Sequence, residues 1–208
     1  MNTSTIQGQI IRPFSPAIGK YKLPNETISL INTHVDGILK DQNKIDELYN
    51  GDNLAGEIKY EVKISKEFLD KHLFNTFKNY VFNYVKSTIG KEFKTFEIKS
   101  CWSVSQFESD YNPVHWHTGN ISAVTYTKIP NDFGSSYKKE NLNGNIAFIH
   151  GNRQLTSASV YNVKPEIGDL FIFPSYMMHT VYPFHNSQEE RRSVSFNAKI
   201  DEDAAKLR

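Results

Sequence analysis

The chain has 208 residues, which is enough for one domain with a sizeable core and short for two. Its 24 lysines and arginines nearly balance 23 aspartates and glutamates, so the formal charge of +1 argues against nucleic acid or an anionic membrane surface as a partner. The single cysteine excludes an internal disulfide and a thiolate metal cluster. No apolar run approaches the roughly 20 residues that span a bilayer, and no secretory signal opens the chain, which predicts a cytoplasmic protein.

Helical and strand patterns mix in the first ninety or so residues. Residues 6–11 predict a short strand. A helix should follow, because apolar residues recur at helical spacing from Ile28 to Leu39, with Asn25 as a plausible N-cap. His34 lies beside this stripe, which favours a boundary residue over a metal ligand.

A polar loop around residues 50–53 separates the first helix from a strand over Glu57–Ile64, where apolar residues alternate. Ser65 then caps a longer helix that ends near Gly90. His72, in this second helix, is also interpreted as a boundary residue.

Short β-rich runs dominate the chain from Phe93 onward. Turn residues, among them Asn112-Pro113, Asn143-Gly144 and Ile167-Gly168, separate the predicted strands at residues 96–107, 114–127, 145–150, 159–163, 169–173, 179–182 and 192–200. Many short strands with few helices indicate a mainly β (α+β) fold, and a jelly roll fits best. We expect a single domain over 1–208, with an α/β buttress over 1–92 packed on one sheet, a jelly-roll core over 93–200 and a tail over 201–208.

Three histidines form the most informative pattern. Side chains alternate along a strand, so His115 and His117 should share one face of the 114–127 strand. His179 on a later strand could complete a three-nitrogen face around one metal, with positions open for substrate and oxygen. His150 and His185 are competing candidates, but neither has a partner at strand spacing.

The ligand set departs from the facial triad of non-haem iron oxygenases, which has a carboxylate two residues after the first histidine. His117 occupies that position here. In an alternative register His117 is the first ligand and Gly119 takes the carboxylate position, the arrangement of iron halogenases. That register leaves His115 unexplained.

Arg191 and Ser193 predict a carboxylate site beside the metal. Alternation places these two residues on one face of the last strand and Arg192 on the other. A buried arginine is costly unless it is paired, and a ligand carboxylate held by the guanidinium and the Ser193 hydroxyl would satisfy it. The opposite phase, with Arg192 inward, and a solvated strand entry after Glu189-Glu190 both stay open.

The chain resembles a family of 2-oxoglutarate- and iron-dependent oxygenases common in marine bacteria and their phages, an HxH…H variant of the double-stranded β-helix superfamily. The resemblance covers nearly the whole chain. It rests on Ile18-Gly19-Lys20-Tyr21-Lys22-Leu23-Pro24, Leu54-Ala55-Gly56-Glu57, Trp102, His115-Trp116-His117, Ser122-Ala123-Val124-Thr125-Tyr126, Phe173-Pro174-Ser175 with His179, and Arg191-x-Ser193 with Phe196-Asn197.

The resemblance implies a double-stranded β-helix and an oxidoreductase, a 2-oxoglutarate-dependent dioxygenase that hydroxylates an unknown substrate. His115, His117 and His179 would bind Fe(II), and no catalytic residue beyond these ligands is implied. Arg191 and Ser193 would bind the far carboxylate of the co-substrate 2-oxoglutarate. Tyr126 could add a hydrogen bond to it, although a plain core tyrosine is an equal interpretation.

Two other functions stay open at this point. A cupin-like enzyme could use the three histidines for zinc or manganese without redox chemistry. A non-enzymatic jelly-roll binding module would have vestigial histidines. Partners are expected to be small molecules and not nucleic acid or membrane, with a homodimer as an option because jelly-roll edges often pair.

Overall fold

The computed structural model describes residues 6–13 and 16–201, in which eleven strands and a few helices are found. The helical elements are α1 (Asn25–Leu39), α2 (Gln42–Leu48), a 3₁₀ turn (Gly51–Asn53), α3 (Lys66–Phe68), a π-helical turn (Leu69–Leu73) and α4 (Phe74–Ile89). The strands are β1 (Gly8–Ile11), β2 (Ile18–Lys22), β3 (Tyr60–Lys63), β4 (Phe96–Gln106), β5 (Asn112–His115), β6 (Ile121–Lys128), β7 (Ile146–Ile149), β8 (Val160–Val163), β9 (Asp169–Pro174), β10 (Met178–Val181) and β11 (Arg191–Ile200).

The strands form two antiparallel sheets that face each other. The larger sheet has the order β1-β2-β9-β6-β11-β4-β3, and the smaller has the order β5-β10-β7-β8. Consecutive strands of the second half of the chain repeatedly change sheets, as expected of a jelly roll. The predicted mainly β fold, a double-stranded β-helix, is therefore confirmed.

The larger sheet is buried on both faces, and each face has its own core. Helices α1 and α4 cover one face, where Val194 and Phe196 of β11 pack with Phe77 and Val81 of α4. The other face meets the smaller sheet through residues such as Val124, Tyr126, Phe148, Phe171 and Phe173. Alternation along β11 therefore sends successive side chains into two different environments.

The N-terminal helices follow the predicted pattern with two changes. Ser65 caps α3 as expected, since its Oγ accepts the N–H of Phe68, and Gly90 ends α4 in the left-handed conformation at φ 69°. The predicted N-cap Asn25 is instead the first residue of α1, and Pro24 precedes it with extended backbone. The predicted helix after Ser65 also contains the π-helical turn before α4.

The predicted strand over 114–127 was wrong, because the chain leaves one sheet and enters the other within it. β5 belongs to the smaller sheet and β6 to the larger, and residues 116–120 connect them. Asn112-Pro113, predicted as a turn, opens β5 as an edge strand, where the proline needs no ladder donor on its outer side. Strand β2 and helix α2 were not predicted as elements.

The remaining boundaries agree within a few residues, although β3 covers only Tyr60–Lys63 of the predicted strand over Glu57–Ile64. Part of the strand predicted for 6–11 is observed as β1. The N-terminal residues 1–5 and most of the predicted tail lie outside the described residues. No helix in the described ranges combines the length and apolarity that a membrane crossing requires.

Candidate metal centre and co-substrate cavity

Three histidines converge in a cavity between the two sheets. His115 of β5 and His179 of β10 are directly paired across neighbouring strands, and His117 lies two residues beyond the end of β5. The Ser175 carbonyl accepts the backbone N–H of His117 at 2.8 Å, which fixes this connection against the segment before β10. One ligand nitrogen from each ring lies within 4.8 Å of the other two, as a shared metal requires.

Two of the imidazoles are oriented by backbone carbonyls. His115 Nδ1 lies 2.7 Å from the Pro113 oxygen, and His179 Nδ1 lies 3.0 Å from the Met177 oxygen. A carbonyl oxygen only accepts hydrogen bonds, so both Nδ1 atoms carry the proton and both Nε2 atoms keep a free lone pair. Such outer contacts are the usual means of presenting a histidine to a metal.

Burial keeps the three rings neutral. It lowers the pKa of His115, and burial followed by repulsion from His115 lowers the pKa of His117 to about 4. For His179, burial and then the two neighbouring imidazoles lower the pKa to about 3. Neutral imidazole is the metal-binding form, so the cluster is ready to bind at neutral pH without releasing protons.

Within the described ranges, the cluster contains no aspartate or glutamate. The alternative register would need Gly119 beside the metal, but a side chain there would point at the Ala198 carbonyl, 2.9 Å from an added Cβ. His115, which that register leaves out, is part of the cluster. The competing candidates His150 and His185 do not belong to it, and His34 stacks on Phe68 at a ring distance of 3.7 Å.

Arg191 lines the same cavity as the histidines and is 1% exposed. Its Nη1 donates to Gln106 Oε1 at 2.9 Å, whereas Nε and Nη2 have no hydrogen-bond partner in the described part of the chain. The guanidinium lies over the Tyr126 ring, 4.8 Å from its centroid. Burial lowers the pKa of Arg191, but an arginine stays charged, so the cavity contains a cation with unused donors.

Arg192 is equally buried but lies on the opposite face, against α1. Its guanidinium bonds Glu190 at 2.6 and 2.9 Å and Asp36 at 2.7 Å. Lys128 joins the same two carboxylates at 2.9 and 3.0 Å. Arg192 is therefore a paired structural residue, and both phases considered for β11 are realised, one on each face of the sheet.

Ser193 and Tyr126 complete the polar wall beside Arg191. Ser193 follows Arg191 by two residues on β11 and is paired with Tyr126 of β6, so the two side chains are neighbours on the cavity face. Tyr126 is fully buried beside the Arg191 guanidinium. Burial raises the pKa of Tyr126, which keeps the hydroxyl protonated and available as a donor.

The cavity has a volume of about 180 Å³, many times the roughly 10–15 Å³ that one water requires. A small organic anion therefore fits between the histidines and Arg191. A cation, two hydroxyls and three metal-binding nitrogens in one cavity suit a keto acid that chelates a metal at one end and has a carboxylate at the other. The donor set and the unused donors of Arg191 thus fit Fe(II) with 2-oxoglutarate.

Sequence reasoning missed one charged residue of this cavity, Glu61 of β3. The apolar residues Tyr60 and Val62 alternate with Lys59, Glu61 and Lys63, a pattern that suggests a solvent-facing polar side. The segment that carries Leu54 and Ala55 covers this end of the sheet and lines the same cavity. No local signal distinguishes a carboxylate covered in this way from an exposed one.

Comparison with known proteins points to the 2-oxoglutarate- and Fe(II)-dependent oxygenases. Residues 100–197 match the profile of the family described as "Putative 2OG-Fe(II) oxygenase". The matched segment contains all three histidines of the cluster. It also contains Tyr126, Arg191 and Ser193. No curated protein sequence matches the chain.

Several solved structures share the fold. A prolyl-4-hydroxylase from Pseudomonas putida aligns with a TM-score of 0.55 at 15% identity, over 88% of this chain and 91% of the other. A viral collagen prolyl hydroxylase from Paramecium bursaria Chlorella virus-1, in complex with 2-oxoglutarate, gives 0.55 at 11% identity, over 87% and 94%. A prolyl hydroxylase from Trichoplax adhaerens, bound to a peptide of hypoxia-inducible factor, gives 0.56 at 14% identity, over 97% and 86%.

Proposed function

We propose that this 2-oxoglutarate- and Fe(II)-dependent oxygenase, a member of the family just described, is a hydroxylase whose iron is held by His115, His117 and His179. One observation carries the proposal. Arg191, a buried guanidinium without a carboxylate partner in the described chain, lines the same cavity as three neutral imidazoles. A metal and a fixed cation in one cavity match the two ends of 2-oxoglutarate.

Arg191 is the anchor of the far carboxylate in this proposal. Its free Nε and Nη2 donate to the carboxylate oxygens, and the hydroxyls of Ser193 and Tyr126 add hydrogen bonds. The carboxylate in turn neutralises a charge that would otherwise be costly to bury. Arg192 takes no part, because its donors are occupied by Glu190 and Asp36.

Iron, when bound, would supply the redox chemistry: dioxygen is reduced, 2-oxoglutarate is oxidised to succinate and carbon dioxide, and a C–H bond of the substrate becomes C–OH. The chain itself orients the histidine ligands and keeps water out of the cavity. The Pro113 and Met177 carbonyls hold His115 and His179 by Nδ1, and the apolar side chains of Val124 and Phe173 line the wall and limit water.

The third histidine changes the charge of the site. Three neutral ligands leave a divalent metal with its full charge, whereas a carboxylate would remove one unit. A doubly charged co-substrate binds more favourably to such a site. A redox-silent enzyme with the same histidines would have no use for Arg191, which favours the oxygenase over the cupin-like alternative.

The test is an anaerobic titration of the metal-free protein with Fe(II) and then 2-oxoglutarate. We expect the weak visible absorption band of a keto acid chelate, followed by succinate formation when oxygen is admitted. His179→Ala should lose metal binding. Arg191→Met should keep metal binding but weaken 2-oxoglutarate binding at least a hundredfold, because it replaces a charged bidentate contact by a side chain of similar length.

Arg153→Met is the matched control, since Arg153 is exposed and does not line the cavity. It should titrate like the unmodified protein. Tight metal binding without the band would contradict the oxygenase and favour a redox-silent metal enzyme. An absence of metal binding would favour a binding module. The cytoplasmic location and the homodimer stay predictions from the sequence.

A further inference from the structure

The cavity that contains the histidines and Arg191 also contains Glu61, which the proposed function does not use. Glu61 is 1% exposed and lines the cavity from β3, the edge strand of the larger sheet. It is paired with Val104, and Val104 is paired with Ser193, so the three residues form a row across the sheet. Strands lie about 4.8 Å apart, which separates Glu61 from Ser193 by roughly 10 Å along this row.

The Glu61 carboxylate has no compensating charge. Its Oε2 is buried without a hydrogen-bond partner, and no ion pair with it is found among residues 6–13 and 16–201. Burial, and then the negative charge of Asp110, raise the pKa of Glu61 to about 7. Asp110 accepts the backbone N–H of Phe107 and likewise has no ion pair in the described ranges.

A buried carboxylate in this state is unusual. Burying a charge costs several kcal/mol unless it is paired, and buried acids in folded proteins almost always have a partner. Backbone pairing with β4 holds the strand of Glu61, and the neighbouring Ile58 and Val104 form an apolar cluster with Trp102, so neither contact uses the carboxylate. An unpaired acid that lines a ligand cavity is therefore a candidate for ligand binding.

Aromatic residues of the cavity favour the same kind of ligand. Trp116, between the two histidines of the HxH motif, lines the cavity and is 64% exposed, and Trp102 lines it from β4. The face of an indole ring attracts a cation within about 6 Å. Carboxylate and aromatic groups together select a positively charged nitrogen over a neutral polar group.

We propose that Glu61 binds the primary substrate through a positively charged nitrogen, an amine or a guanidinium, while Arg191 binds 2-oxoglutarate about two strands away. This inference rests on the proposed function for the identity of the second ligand. The cavity then has opposite charges at its two sides, so the anionic co-substrate and the cationic substrate are directed to different walls.

The test compares cationic probes with neutral analogues of the same shape. The probes are free L-arginine and L-lysine, and acetylated, amidated pentapeptides with a central arginine or lysine. Citrulline and norleucine, free and in the same peptides, are the neutral counterparts. Binding to the full-length protein is measured by calorimetry, with and without Mn(II) and 2-oxoglutarate, and succinate formation is measured with Fe(II) in air.

We expect at least one cationic probe to bind at least tenfold more tightly than its neutral counterpart and to stimulate succinate formation. The free and peptide forms show whether the nitrogen belongs to a small molecule or to a protein side chain. Glu61→Gln should weaken binding of that probe at least tenfold, and Glu61→Asp should weaken it less. Glu67→Gln removes an exposed carboxylate on α3. This control should leave the binding affinity for the probe unchanged.

Three outcomes overturn the proposal: no cationic probe binds, a neutral counterpart binds equally well, or Glu61→Gln binds the cation as tightly as the unmodified protein. Failure of the proposed function is seen separately, as an absent chelate band and absent succinate in the unmodified protein without any probe. Calorimetry would still decide whether Glu61 binds a cation in that case.

Discussion

Two adjacent arginines have opposite roles because a strand alternates its side chains. Arg192 lies on the helix face, where Glu190 and Asp36 neutralise it. Arg191 lies on the cavity face, where its guanidinium donates to Gln106, lies over the Tyr126 ring and has no ion pair in the described chain. The two arginines are equally buried but differ in their partners. The charge of Arg192 is neutralised within the fold, whereas that of Arg191 is available to a ligand.

Glu61→Gln should change stability in a pH-dependent way. The folded protein holds the Glu61 proton up to about pH 7, above the usual carboxyl value of 4.5. Ionisation therefore destabilises the fold: the penalty is absent below about pH 4.5, grows as the pH rises and is complete above pH 7. Relative to the unmodified protein, we expect the variant to gain on the order of 1–2 kcal/mol of unfolding free energy between pH 5 and pH 8.

Urea unfolding at the two pH values measures this difference. The exposed Glu67→Gln control should show the same stability difference from the unmodified protein at both values. A pH-independent difference for Glu61→Gln would mean that the carboxylate is solvated or paired when folded. Such a result would remove the energetic argument for a ligand at this residue.

At the scale of elements, the connection over residues 116–120 determines whether His117 can reach the metal. His117 is no longer in β5, and the connection is held by hydrogen bonds from His117 to Ser175, from Ser175 to Asn120 and from Asn120 to Ala198, all between backbone groups. Gly119 in its middle has φ +110°, a conformation that L residues rarely adopt.

Gly119→Ala should therefore weaken metal binding although residue 119 does not line the cavity. An added Cβ would lie 2.9 Å from the Ala198 oxygen and would strain the backbone that carries His117. We expect a loss of about 1–2 kcal/mol in stability and a several-fold weaker metal affinity, measured by urea unfolding and by Mn(II) titration. Gly37→Ala, at a helical site with open space around it, should leave metal affinity unchanged.

Helix α1 is attached to the larger sheet by the charge cluster of Arg192, Asp36, Lys128 and Glu190. Arg192→Met should destabilise the protein by about 2 kcal/mol, because two carboxylates lose a buried partner and only Lys128 remains to both. Chemical denaturation measures the loss. The folded Arg192→Met protein should bind 2-oxoglutarate as tightly as the unmodified protein does. This is the opposite of the result expected for Arg191→Met.

At the scale of the whole molecule, the two sheets enclose a cavity that is lined by residues of both. Two of the histidines come from the smaller sheet, whereas Arg191, Ser193, Tyr126 and Glu61 come from the larger. A metal-bound co-substrate would therefore bridge the sheets. Binding to the folded state alone stabilises it by mass action.

Mn(II) together with 2-oxoglutarate, each at a hundredfold excess over its dissociation constant, should stabilise the fold by at least about 2.7 kcal/mol. For a chain of this size that corresponds to a rise in Tm of roughly 5–10 °C, measured by thermal denaturation. Removal of the metal with a chelator should reverse the shift, and 2-oxoglutarate alone should produce little of it. An equal shift with 2-oxoglutarate in the absence of metal would contradict binding at a metal centre.

The sequence by itself determined the fold class and the chemistry of the site. Turn residues between short apolar runs predicted a jelly roll, and three histidines followed by Arg191-x-Ser193 indicated a metal beside a carboxylate site. These patterns are local: alternation gives the face of a strand, and residue type gives the ligand chemistry. The solved structures agree with the fold class, and the family match agrees with the oxygenase chemistry.

Only the tertiary structure decided what each face contacts. The sequence left Arg191 and Arg192 as alternatives, because it cannot show that both faces of β11 are buried, one under helices and one under a second sheet. It placed His115 and His117 on one strand, although β5 ends at His115 and His117 lies in the connection that leads to the other sheet. Glu61 has the sequence pattern of a solvent-facing residue, but it lines the cavity together with Leu54, Ala55 and residues of both sheets. Pairing between strands far apart in the chain fixes these environments, and no local pattern encodes that pairing.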